Sequence, residues 1–260
     1  MKFIKRLLGI IIIVILIGAI IVLTALLLKP TLEANGFYIE IRWNEIVWFW
    51  PTKPIQPAPN LTGWQNCGEY YIYYPATLGR QKDVFVWLAG SGEKGKDVLS
   101  KGLPKQAKSI DGIMVVPIKK TSNWNTKKTV DIINEALSEI EINGYEVKTL
   151  QGFGFSIGGQ AIVKVAVSQS LRQQFNVVNI LGITINGNDT REKLAKLTRG
   201  GTIQRVNFFI GDADKDTTRK GARADSQWLS NHCHDKIVNY TVIDNCGHDA
   251  DKLTAVALGK

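Results

Sequence analysis

The feature that most constrains the fold is a serine held between two glycines where a predicted strand turns into a predicted helix. Residues 147–153 form a mostly apolar run typical of a buried strand, and a helical pattern begins near Ile157. Ser156 lies in the turn, between Gly154 and Gly158. Side chains at the two glycines would collide with the neighbouring strand and helix, whereas glycine tolerates such a strained turn. We expect an exposed serine oxygen, with the Ile157 N–H aimed at the same space and able to stabilise an anion.

Two polar loops also follow predicted strands further along the chain, at residues 211–216 and 244–249. Each comes just past the carboxyl end of its strand. A serine nucleophile needs a base, and the base needs a carboxylate that holds its tautomer. We predict that His248 is the base and Asp214 the acid that orients it. The other carboxylates on the first loop that could reach the imidazole are Asp212 and Asp216.

The order Ser156, Asp214, His248 resembles the α/β-hydrolase superfamily. Gly154 to Gly158 is similar to its G-x-S-x-G elbow, Asp214 to its G-x-x-D turn and His248 to its G-H turn before the last helix. The resemblance extends from about Tyr70 to the C-terminus. It implies a serine hydrolase, with a carboxylesterase that works through an acyl-enzyme as the first expectation. An acyltransferase, a peptidase and a catalytically silent binding protein of the same fold are the alternatives.

A glycine-rich loop after the predicted strand 83–89 resembles the oxyanion loop of that family, with Ala89 in place of its histidine. The resemblance implies that the N–H of Ser91 is the second oxyanion donor, beside Ile157. The loop also spells G-x-x-x-x-G-K and G-x-G-x-x-G. The first pattern is typical of a phosphate loop, but Asp97 stands where that loop needs Ser or Thr. The second is typical of a dinucleotide fold, which needs an acidic residue at the end of the next strand, whereas Asp111 precedes its strand. We therefore predict no cofactor.

Metal binding is not predicted either. Two of the three histidines, His232 and His234, flank Cys233, but no second cluster has matching spacing, so the zinc-ligand pattern is weak. The chain contains only three cysteines, which allow at most one internal disulfide.

The N-terminal segment predicts a membrane anchor. Residues 7–28 are an uncharged run that spans about 33 Å as a helix. Lys2, Lys5 and Arg6 precede this run, so the positive-inside rule predicts a cytoplasmic N-terminus and an extracytoplasmic catalytic domain. The run is longer than a typical signal-peptide core, although cleavage near residues 34–36 is the alternative.

Three segments are predicted: residues 1–29 as the cytoplasmic tip and anchor, residues 30–64 as a Trp/Pro-rich linker or edge extension, and residues 65–260 as the catalytic domain. The tryptophans of the middle segment could rest at the lipid headgroups or pack on the sheet as an extra edge strand. Residues 1–29 carry four basic and no acidic side chains, so +5 of the net charge of +9 belongs to the rest of the chain. This is a mild basic bias without clusters of Lys and Arg interleaved with aromatics, so no nucleic-acid partner is predicted.

Alternating strands and helices predict an α/β fold, a mostly parallel sheet with helices on both faces, preceded by the transmembrane helix. The connection at residues 186–202 is too short for a large lid. An uncovered serine favours an accessible ester substrate.

Overall fold

The computed structural model describes residues 39–42, 45–48, 61–77, 79–91, 99, 103–233 and 237–259. The chain divides between Gln56 and Pro57 into two units. In the first, strands β1 (Ile39–Arg42) and β2 (Glu45–Trp48) pair in antiparallel fashion. Within the residues that the structure describes, no helix is long and apolar enough to span a bilayer. The predicted anchor at residues 7–28 lies outside those residues.

The second unit is built on an eight-stranded sheet with the strand order β10-β9-β8-β7-β5-β6-β4-β3. Strands β5 to β10 run parallel, while β3 and β4 form an antiparallel edge. The strands are β3 (Gly63–Asn66), β4 (Tyr70–Tyr74), β5 (Gln81–Leu88), β6 (Gly112–Pro117), β7 (Glu146–Phe155), β8 (Val177–Leu181), β9 (Arg205–Gly211) and β10 (Val238–Ile243).

Helices cover both faces of this sheet. They are α1 (Leu103–Lys108), α2 (Thr126–Ile142), α3 (Ile157–Ala166), α4 (Asn188–Arg199), α5 (Asp216–His232) and α6 (Ala250–Ala257). One apolar core lies between the sheet and α2 to α5, and a second lies between the opposite face and α1 with α6. All six residues of β6 are buried, as expected for a central strand covered on both sides. The α/β architecture and the mostly parallel sheet are as the sequence predicts.

The apolar pattern of residues 177–185 predicts one strand, and the pattern of residues 157–170 predicts one helix. Both predicted C-terminal boundaries are wrong. The strand predicted over residues 177–185 ends at Leu181, because Gly182 turns to a φ of 65° and leaves the sheet. The helix predicted over residues 157–170 ends at Ala166. Of the described residues between β8 and β9, only those of α4 are helical, so this connection contains no large inserted lid. The tryptophan at position 64 lies in edge strand β3 and packs on Tyr73, with 5.4 Å between ring centroids.

Candidate active site

Ser156 occupies the turn between β7 and α3 with an unusual backbone. Its φ of 53° and ψ of −124° lie in a region that residues with a Cβ rarely adopt. The conformation is held from outside the turn, since the Ser156 N–H donates to the carbonyl of Leu181 in the neighbouring strand at 2.8 Å. The turn is therefore strained in the way that the sequence pattern predicts.

The two flanking glycines are required by close backbone packing. A Cβ on Gly154 would overlap the carbonyl of Gly158 and lie 2.7 Å from the Cα of Gly159. A Cβ on Gly158 would overlap the carbonyl oxygen of Leu88 and come within 2.7 Å of that of Ala89. Helix α3 can thus begin directly against the carboxyl end of β5 only because these positions lack side chains.

The imidazole of His248 contacts the carboxylate of Asp214. The distance from His248 Nδ1 to Asp214 Oδ2 is 3.1 Å. The Asp214 side chain is 2% exposed and that of His248 is 43% exposed, so the carboxylate is enclosed while the imidazole reaches solvent. A carboxylate at Nδ1 favours the tautomer that leaves Nε2 free to accept a proton. Asp214 and His248 lie on the loops after β9 and β10, where the sequence predicted them.

The rival carboxylates have other partners. The two oxygens of Asp212 accept hydrogen bonds from the N–H groups of Asn245 and Cys246, each at 2.9 Å. The N–H of Cys246, followed by that of Asn245, holds the pKa of the Asp212 carboxyl below its ordinary value. Asp216 pairs with cationic side chains of its own helix, at 2.9 Å from Arg219 and 2.6 Å from Lys220. Asp212 therefore secures the loop that carries the histidine, and Asp214 contacts the ring.

Two residues that the sequence did not suggest confine the His248 ring. The ring of Phe155 lies with its centroid 4.6 Å from that of the imidazole. A Cβ placed on Gly182 would be 3.1 Å from both Cε1 and Nδ1 of the histidine. The sequence shows only a glycine at this position. Its positive φ and its closeness to the imidazole become visible only in the fold.

Ser156, Asp214 and His248 line one cavity of about 310 Å³. Its other lining residues are Ile183, Ala213, Lys215 and Thr218. Among the described residues, Ser156 makes no side-chain hydrogen bond to the imidazole in this structure. Such bonds are commonly loose without a substrate and tighten when one is bound. Two larger grooves, one of about 510 Å³ at α5 and β10 and one of about 450 Å³ at α4 and α5, do not bring a serine and a histidine together.

The two predicted oxyanion donors lie on the elements that meet at this turn. Ile157 is the first residue of α3, so its N–H has no acceptor within the helix. Ser91 follows β5 directly after Gly90, where an added Cβ would lie 3.6 Å from the Cβ of Ser156. The structure thus brings the β5 loop to the serine turn.

Metal-binding clusters and disulfides are not found among the described residues. No group of three or more His, Cys, Asp or Glu side chains there could hold a metal ion. The imidazole of His232 stacks on Trp228, with 3.9 Å between the ring centroids. His234 lies outside the described residues. Cys67, Cys233 and Cys246 are free thiols.

The comparisons with known proteins find likeness in structure and none in sequence. No protein-family model and no curated protein matches the chain. FphF, a fluorophosphonate-binding serine hydrolase of Staphylococcus aureus, is 14% identical, with a TM-score of 0.54 over 73% of this chain and 90% of that one. The BES protein of Bacillus cereus is 14% identical, with a TM-score of 0.52 over 73% of this chain and 88% of that one. Esterase PE8 is 16% identical, with a TM-score of 0.50 over 72% and 94%. The chain has the α/β-hydrolase fold, as the resemblance in sequence implied.

Proposed function

We propose that this protein is a serine hydrolase that cleaves carboxylic esters through an acyl-enzyme. The observation that carries the proposal is the pair formed by Asp214 and His248 on the same cavity as a serine in a strained strand-to-helix turn. Structurally similar proteins include an esterase and a serine hydrolase, which supports the proposed class.

In the proposed mechanism, the Ser156 hydroxyl attacks the ester carbonyl while His248 Nε2 takes its proton. The Asp214 carboxylate accepts a hydrogen bond from Nδ1–H and thereby stabilises the imidazolium. The N–H groups of Ile157 and Ser91 donate to the developing oxyanion. The imidazolium then protonates the leaving alcohol. A water next attacks the acyl-enzyme and gives a proton to the same nitrogen, which returns it to the Ser156 oxygen as the acid leaves.

The substrate is proposed to be an ester that reaches an open site. About two fifths of the His248 side chain is exposed, and α4 alone of the described helices lies between β8 and β9. A cavity of about 310 Å³ accommodates a short acyl group more readily than a long chain. Activity on p-nitrophenyl esters should therefore fall as the acyl chain lengthens.

The full-length chain in detergent tests the activity. A fluorophosphonate probe should label it, and Ser156→Ala and His248→Ala should each lower ester turnover by at least about 10⁴-fold. Ser170→Ala, at an exposed serine, is the matched control and should keep wild-type turnover. A wild-type chain that neither reacts with the probe nor hydrolyses esters would show a catalytically silent protein. Acyl transfer to an added alcohol, or amide cleavage, in excess of ester hydrolysis would identify an acyltransferase or a peptidase.

We also propose that the enzyme is anchored to a membrane through residues 7–28, with the catalytic unit extracytoplasmic. The support is the uncharged run itself, preceded by Lys2, Lys5 and Arg6. The chain should remain in membranes after carbonate washing, and protease added to intact cells should cleave within residues 36–59. Recovery of the full-length chain without detergent, or a mature N-terminus near Phe37, would refute the anchor.

A further inference from the structure

Two side chains that play no part in the proposed chemistry bind the loop that follows β5. The ammonium group of Lys119 donates to the carbonyl of Gly90 and, at 3.0 Å, to that of Ser91. The indole N–H of Trp124 donates to the carbonyl of Ala89 at 2.9 Å. Both side chains come from the connection between β6 and α2. Three successive carbonyls of the loop are therefore held by one neighbouring segment.

This pattern determines where the loop's N–H groups point. No cis peptide bond occurs in the described residues, and in a trans peptide the N–H is opposite to the C=O. The Ala89 carbonyl points at Trp124, so the Gly90 N–H of the same peptide points away from Trp124. The Gly90 carbonyl points at Lys119, so the Ser91 N–H points away from Lys119. Consecutive N–H groups on one side of a chain form a concave site for an anion.

The loop also lies close to the reactive serine. A Cβ on Gly90 would be 3.0 Å from the ring of Phe155 and 3.6 Å from the Cβ of Ser156. Oxyanion donors must lie within a few tenths of an ångström of their productive positions to be effective. A loop made largely of glycine does not hold such positions by itself, since glycine has wide conformational freedom.

The choice of a lysine at this place is informative. Lys119 is 5% exposed, although burying an ammonium group is costly unless it is well bonded. Its bond to the Gly90 carbonyl is charge-assisted and hence stronger than a neutral one. Withdrawing charge from that carbonyl also polarises the peptide group and makes the Ser91 N–H at its other end a better donor.

We propose that Lys119 is a positioning residue of the oxyanion site, with Trp124 as its second support. The inference rests on the proposed hydrolase function. Lys119 bonds to loop carbonyls, so its proposed effect on the reaction is exerted through the loop. It holds and polarises the peptide whose N–H meets the oxyanion, so it acts on the transition state more than on substrate binding.

The test compares Lys119→Met with Lys120→Met in the full-length chain. Lys120 is the next residue, but its side chain is 60% exposed and pairs with Glu69, so its variant controls for the loss of a lysine. Turnover is measured per active site titrated with the fluorophosphonate, which removes the effect of misfolded molecules. Affinity for a trifluoromethyl ketone, whose hemiketal carries an oxyanion, reports on the oxyanion site directly.

Lys119→Met should lower kcat per titrated site by about 10²-fold, the order found when one oxyanion donor is lost, and leave KM within about twofold. Its affinity for the trifluoromethyl ketone should fall by a similar factor, while Lys120→Met behaves as wild type. If Lys119→Met does not fold, Trp124→Phe carries the test, because it keeps a ring and removes only the N–H donor. We expect about a tenfold loss in kcat and in ketone affinity for that variant.

The inference is overturned if Lys119→Met keeps wild-type ketone affinity and wild-type kcat per titrated site. Where that variant does not fold, the same result in Trp124→Phe overturns it. Either result leaves the proposed function intact. A rise in KM by the same factor as the fall in ketone affinity would also overturn it, because that result indicates a general weakening of binding. A wild-type chain without esterase activity or labelling would overturn the proposed function, and the inference with it.

Discussion

Replacing Ser156 by glycine should make the protein more stable while abolishing its activity. The φ of 53° and ψ of −124° place a residue with a Cβ where only glycine is comfortable. Strain of this kind costs about 1–3 kcal/mol. Glycine removes the strain but adds about 0.4–1 kcal/mol of unfolded-state entropy. The net gain in the free energy of unfolding is therefore about 1 kcal/mol.

For a folded unit of this size, about 1 kcal/mol raises the Tm by roughly 2–4 °C. Ser156→Ala is the matched control, since it also removes the hydroxyl but keeps the Cβ and with it the strain. Thermal denaturation of the full-length wild type and both variants, followed by circular dichroism, gives the comparison. Ser156→Gly should melt above Ser156→Ala, and both should be inactive. A glycine variant that melts at or below the alanine variant would refute the claim that the turn is strained.

Three further predictions concern other parts of the site and fold. Asp214→Asn should lower kcat for ester hydrolysis by about 10³–10⁴-fold through the wrong imidazole tautomer. Asp212→Asn places an amide donor against a backbone N–H, and its loss in kcat should be at least about tenfold smaller. Equal losses in kcat would contradict the assigned roles. Gly158→Ala should lower the free energy of unfolding by about 1–3 kcal/mol, because the Cβ meets backbone at Leu88, and denaturant titration that finds no loss would show that α3 can move. Hydrogen bonds from Lys120 and then Lys128 lower the pKa of Glu69 to about 2, so the Tm difference between wild type and Glu69→Gln should be full above about pH 5 and vanish towards pH 2; a difference that grows on acidification would contradict that pairing.

The positions of the serine, acid and histidine could be predicted because each follows a recognisable strand. Buried parallel strands appear in sequence as apolar runs, and their carboxyl ends meet at one edge of the sheet. The glycines beside Ser156 add a local steric signal. Strand position alone does not choose among Asp212, Asp214 and Asp216, since all three lie on one short loop. The resemblance to the G-x-x-D turn favoured Asp214, and the tertiary path is what brings that side chain to the imidazole.

Other features were hidden from the sequence for a similar reason. Lys119 and Lys120 are adjacent lysines with the same local pattern, yet the first is buried against a loop about thirty residues earlier and the second is exposed. Edge strand β3 has four residues and begins with glycine, so its pairing with β4 decides its structure more than its own propensity. Both outcomes depend on contacts that are distant in sequence.

The register of the sheet explains why the loops after β7, β8 and β9 begin within two residues of the same level along the strands. Phe155 pairs with Leu181, and Leu181 pairs with Phe209, so β7, β8 and β9 are aligned where the chain reaches the cavity. Gly211, two residues beyond Phe209 in β9, pairs with Ile243. The residues that follow these aligned pairs include the serine, the glycine against the imidazole, and the carboxylate that secures the histidine loop. A slip of one residue in any of these strands would turn its side chains to the other face and move its loop by about 3.3 Å. The geometry of the site thus depends on the same strand register that buries the core.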